Sequence, residues 1–298
     1  MRHTVVFCAL ALIVTAASAA LRTGWPSLEL FVVAAAVVLL GVPHGALDVI
    51  HAARTLRVRR LETWVMFTAA YVAIAAAVVG LWILAPTASL TVFLLISGFH
   101  FSGDLAAGTP TLLRGLHGAS PIVLPALLHG EELAELFAML VPAAGAEALA
   151  RALAAGAPLF LGTLLGVLAL AALGRLRGAT AAPPHAVPTA SLIEAAATAL
   201  LATLAPPLTA FAIYFCVLHS ARHVLRTGAV FDLAPAQLLR ASALPTLATA
   251  AAIPVAFYAL EGATLDARTL QIIFIGLAAL TVPHMMLIEP LRLRGWRA

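Results

Sequence analysis

The chain contains no lysine: all 17 basic residues are arginine, and acidic residues number only 13 in 298. Charged side chains make up 10% of it, well below the roughly one quarter usual in soluble domains, which excludes an ordinary solvated surface. Cysteine is nearly absent. Cys8 and Cys216 both sit in apolar runs, so there is no disulfide framework and no cysteine zinc motif, and any metal must rely on imidazole and carboxylate. The net charge of +4 is not a nucleic-acid signature, because no stretch combines a basic patch with interleaved aromatics and the arginines flank hydrophobic segments.

What is present is hydrophobic residue, at 63%, with a mean hydropathy of +1.05. A helix needs about 20 apolar residues to cross the hydrocarbon core, which predicts an all-α, polytopic transmembrane helix bundle. Ten windows qualify: 4–20, 27–46, 63–85, 88–107, 111–129, 153–174, 191–206, 207–227, 242–260 and 269–290. The first ends in ASAA, like a signal peptide, but reads as a helix because the topology closes when it is retained. With the N-terminus inside, 14 of the 17 arginines fall on the cytoplasmic side and only Arg22, Arg151 and Arg268 outside. Both termini are therefore expected in the cytoplasm of a cell with this protein in its inner membrane. The longest connection, between residues 175 and 189, is rich in proline and small residues, and no soluble domain is evident: residues 1–298 form one transmembrane domain.

Three stretches put a histidine four residues before a second ligand-type side chain: His44 and Asp48 in GVPHGALD, His100 and Asp104 in GFHFSGD, His219 and His223 in LHSARH. Positions i and i+4 share a helix face, and ionisable groups in membrane segments are functional by default. The arginine-derived topology brings His44, His100, His219, His223 and His284 to one depth, toward the cytoplasmic side. A lone membrane histidine is more often a helix-helix hydrogen-bond donor; five at one depth favour a metal site. Asp48 and Asp104 fit as carboxylates that accept the far N–H of metal-bound imidazoles and so orient them, with direct ligation or pairing to Arg222 as alternatives. Glu289 reads as an interfacial charge, and His3, His51, His117, His129 and His185 as segment-end or loop residues. Imidazole donors without thiolate suit Fe, Cu, Zn or Ni; four histidines with an open position suit ferrous iron and O2. A site reachable from the bilayer implies an apolar substrate, with Phe99, Phe101, Tyr214, Phe215, Met285 and Met286 available as lining.

PHGALD, FHFSGD, HSARH and TVPH, in this order near the ends of hydrophobic segments, resemble the bacterial Brp/Blh family of membrane β-carotene 15,15′-dioxygenases. The resemblance covers residues 27–290, and residues 1–26 form an extra N-terminal segment. It implies that Fe(2+) is held by His44, His100, His219 and His223, with the role of His284 open, and that O2 splits the central double bond of β-carotene into two all-trans-retinal molecules. Competing classes are a membrane iron hydroxylase or desaturase, which would need about eight histidines in clustered motifs, and a metal transporter or haem protein. One HxxxH and no HxxHH argue against the first, and ligands gathered near one face against transport.

Overall fold

The computed structural model describes residues 2–20, 26–177 and 187–295, and every regular element among them is helical. The connection following Arg177, with His185 in it, lies outside the described residues, as do Arg22 and Arg297 of the charge count. The helices are α1 (Arg2–Ala20), α2 (Pro26–Ala36), α3 (Val42–Ala46), α4 (Asp48–Thr55) and α5 (Leu61–Leu84). They continue with α6 (Pro86–Phe101), α7 (Thr111–Val123), α8 (Gly130–Ala138), α9 (Ala143–Arg177) and α10 (Thr189–Leu204). The last are α11 (Pro207–Ala212), α12 (Ala221–Phe231), α13 (Pro235–Ala259) and α14 (Leu265–Leu293). Wider π-helical turns, Val37–Gly41 and Ile213–Ser220, join α2 to α3 and α11 to α12.

Each of the ten apolar windows overlaps a helix, but the fourth runs past the end of α6 into a turn over residues 102–107. Among the described residues, six stretches are long and apolar enough to cross a membrane: Leu28–Thr55, Leu61–Leu84, Ala143–Gly174, Pro207–Phe231, Pro235–Ala259 and Leu265–Leu293. A bent pair, Thr111–Leu127 with Gly130–Ala138, turns by 104° and adds at most one crossing. The expected ten crossings are not reached by length. At 1.5 Å per residue the 16 residues of α6 or α10 rise roughly 24 Å, short of the ~30 Å hydrocarbon core.

Burial runs opposite to that of a water-soluble protein. Leu84 is 82% and Leu159 78% exposed on long apolar helices, whereas His51, His117, Ser120, Thr198 and Thr227 are fully enclosed. Leucine faces of this kind are stable against lipid tails, and interior polar groups must then satisfy one another.

The chain forms two compact units. The first takes α1 with Leu94–Ala138 and Ala143–His219; α1 packs on α10, and α7 and α8 pack on α9. Its apolar core gathers Leu105, Leu113, Leu116, Leu124 and Leu164 with the small face of α10, Ala195, Ala199 and Ala202. The second takes Pro26–Phe93, Met139–Pro142 and the chain from Ser220 onward; α14 packs on α5 and α2, and α13 on α3. Trp82 anchors α5 within this unit through its indole N–H, which donates to the Leu140 carbonyl at 3.3 Å.

Candidate metal centre

In the second unit the site begins with a local backbone problem. Pro43 has no N–H and its ring would collide with the carbonyl four residues back in a regular α-helix. The preceding residues widen into the π-helical turn Val37–Gly41, in which Val42 N–H reaches the Val37 carbonyl. Such turns recur at functional positions. The Gly41 carbonyl then accepts a hydrogen bond from His44 Nδ1 at 2.6 Å. A carbonyl has no proton to give, so Nδ1 carries the hydrogen and Nε2 keeps the in-plane lone pair that binds metals. Ser220 Oγ lies 3.0 Å from the same Nδ1 and shares it.

The His44 ring meets His223 and His284 edge to face, with centroids at 5.6 and 5.3 Å, and His223 and His284 are 5.2 Å apart. His284 Nδ1 donates to Asp48 Oδ1 at 2.8 Å, and Tyr71 Oη donates to Asp48 Oδ2 at 3.0 Å. His51 extends the cluster: its ring lies 5.6 Å from that of His223, and its Nε2 is 3.2 Å from Thr227 Oγ1.

The first unit repeats the arrangement with different helices. After α6 a tight turn, with Gly103 and Asp104 N–H groups bonded to the His100 and Phe101 carbonyls, aims Asp104 inward. Arg114 from α7 holds this segment by donating to the carbonyls of Ser102, Ala106 and Thr109. Both Asp104 oxygens lie 3.1 Å from His219 Nδ1, and Tyr214 Oη donates to Oδ2 at 2.8 Å. His100 packs edge-on against His219 at 4.8 Å, and Phe101 and Phe215 cover the His219 ring at 4.8 and 5.7 Å. His117 Nε2 sits 3.5 Å from Tyr214 Oη.

Every residue of the sequence-derived site is buried, but the partners differ from those that i+4 spacing suggests. Asp48 holds His284 rather than His44, and Asp104 holds His219 rather than His100. His44 and His223 come together with His284 in one unit, and His100 with His219 in the other. Among the described residues, no group of three or more His, Cys, Asp or Glu side chains has its donors gathered as a bound ion would hold them.

Three side chains have surroundings that the sequence does not announce. His51 and His117, expected at segment ends or in loops, are fully buried inside α4 and α7, and Glu289, expected as an interfacial charge, is buried beside Arg292. The reason is shared: hydropathy drops where these residues stand, and a drop reads as a segment end although the helix continues. Of the expected lining, Phe101, Tyr214 and Phe215 are enclosed, whereas Phe99 and Met286 face outward.

A family model described as β-carotene 15,15′-dioxygenase matches residues 35–292. The chain belongs to this family. A β-carotene 15,15′-dioxygenase from uncultured marine bacterium 66A03 is 31% identical over 266 residues, spanning 86% of this chain and 91% of the relative. A probable β-carotene 15,15′-dioxygenase Blh from Halobacterium salinarum is 27% identical over 218 residues, or 66% of this chain and 61% of that protein. No solved structure matches. Membership in the dioxygenase family makes the chain a carotenoid-cleaving dioxygenase by class, and its matched region contains every histidine of both clusters. The family model's match begins after α1.

Proposed function

We propose that the chain binds Fe(II) through His44, His100, His219 and His223 and uses O2 to cleave the central 15,15′ double bond of β-carotene, giving two molecules of all-trans-retinal. The carrying observation is the hydrogen bonding of the imidazoles. His44 Nδ1 donates to a backbone carbonyl and His219 Nδ1 to a carboxylate, so each presents Nε2 as its ligating nitrogen. Metal-bound histidines are oriented this way in general, and no thiolate competes. The donor types therefore fit a hard-to-borderline ion such as Fe(II). When bound, Fe(II) supplies the activation of O2 that side chains alone cannot.

The rest of the task falls to the chain itself. Phe101 and Phe215 shield His219 from water, and the carboxylate, carbonyl and hydroxyl partners fix the His219 and His44 rings so that little reorganisation accompanies the reaction. Both oxygen atoms enter product, so no side chain has to supply electrons. The outward leucine faces fit a bilayer in which an apolar polyene dissolves. The arginine distribution supports insertion in the inner membrane with both termini cytoplasmic.

Expression in cells that accumulate β-carotene is expected to bleach the orange colour and yield retinal on chromatography. Unchanged carotenoid with a folded, iron-loaded protein would sink the assignment.

A further inference from the structure

The chain has only three tyrosines, and two of them do the same thing. Tyr71 donates to the carboxylate that holds His284, and Tyr214 to the carboxylate that holds His219. The third, Tyr258, is 75% exposed. In each unit the carboxylate stands four residues after a motif histidine and its imidazole comes from a helix late in the chain; the tyrosine comes from α5 in one unit and from the same π-helical turn as the imidazole in the other. Two separate recurrences of a histidine, aspartate and tyrosine constellation are hard to attribute to packing alone, because a phenylalanine would fill the same space without an interior hydroxyl needing a partner.

We infer that Tyr214 is a positioning residue that sets the donor strength of His219 through Asp104; the inference rests on the iron reading above. The geometry defines the direction of the effect. Tyr214 Oη has one proton, and at 2.8 Å it goes to the charged Asp104 Oδ2, leaving the oxygen lone pairs toward His117 Nε2 at 3.5 Å. This bond draws charge from the carboxylate and so weakens its pull on the His219 Nδ1 proton. Removing the hydroxyl leaves Asp104 a stronger acceptor, makes the imidazole a better electron donor at Nε2, and favours Fe(III) over Fe(II). Replacing the carboxylate by an amide does the reverse. Tyr214 thus keeps the ferrous form available while fixing the ring.

The test uses the full-length protein in detergent, loaded with Fe(II) under anaerobic conditions. Tyr214→Phe is expected to shift the midpoint potential downward and speed loss of the ferrous form in air; Asp104→Asn is expected to shift the potential upward. Tyr258→Phe should match wild type in both. A merely structural role for the hydroxyl would lower stability without these opposite signs. Fluorotyrosine at position 214 keeps the ring and sharpens the donor, so it should raise the potential, and this reading survives if Tyr214→Phe folds poorly. A wild-type potential and oxidation rate in both Tyr214 variants overturns the inference, while iron loading that depends on His219 leaves the functional reading standing. Wild-type protein that takes up no iron overturns both.

Discussion

His219→Ala is expected to abolish iron retention and retinal formation together, lowering cleavage by more than the roughly 10- to 100-fold that loss of an outer hydrogen-bond partner costs. His219 is 3% exposed and stands where four groups converge: Asp104 on its Nδ1, His100 at its edge, and Phe101 and Phe215 against its ring. Truncation removes the nitrogen proposed to bind iron and also takes from the Asp104 carboxylate the imidazole that faces it. Tyr214 still donates to that carboxylate, so the buried group keeps a partner. Asp104→Asn should fall within the outer-partner range, since the amide oxygen can still accept from Nδ1. His129→Ala is the matched control: His129 makes a surface pair with Glu132 at 3.3 Å and should cleave as wild type. Iron content by metal analysis and retinal by chromatography read all three; undiminished iron and rate in His219→Ala would remove it from the ligand set.

How far the site could be read beforehand depends on which interaction is asked about. Histidines stand out in an apolar chain because each costs free energy there, and motif spacing with the arginine-derived depth picks out His44, His100, His219, His223 and His284 from the ten. Partnership is another matter. Spacing i, i+4 reports a shared helix face, and it paired Asp48 with His44; the real partner, His284, lies 236 residues away. Nothing in one sequence connects them. Asp104 and His219, separated by 115 residues, repeat the point. Tyr71 was illegible for a further reason: it sits in the middle of Leu61–Leu84, a helix whose composition says only that it faces lipid.

The helices themselves were largely legible, since apolar windows of the right length have few other readings, but their ends were not. The window ending at residue 46 continues helically beyond Asp48 and His51 to Thr55, because those polar side chains find His284 and Thr227 in the interior instead of water. The π-helical turns were likewise invisible. Pro43 announces that something must give, though not that the answer is a widened turn delivering the Gly41 carbonyl to His44.

Gly118→Ala is expected to destabilise the protein by about 2 kcal/mol or more, the range for overfilling a packed interior, and to carry cleavage down with it. Gly118 lies on α7 against the end of α6. An added Cβ would come within 2.9 Å of Ser102 Cα and closer still to Ser102 N and the Gly98 carbonyl. These are backbone atoms, so no side chain can swing aside and the two segments must separate. Small residues permit such close helix approach in membranes, where packing rather than hydrophobic burial holds helices together. The displaced segment is the one that matters chemically: Gly98 precedes His100 by two residues, Ser102 precedes Asp104 by two, and His117 adjoins Gly118 itself. A shift of a few tenths of an ångström there moves the carboxylate that orients His219, which is why activity should fall further than the loss of folded protein accounts for. Gly115→Ala gives the contrast on the same helix, since nothing lies within 4 Å of its added Cβ and alanine is the better helix former by about 1 kcal/mol. Thermal midpoints in detergent and retinal yield per folded protein distinguish the two: equal behaviour of Gly115→Ala and Gly118→Ala would mean that the close contact between α6 and α7 does not set the position of Asp104.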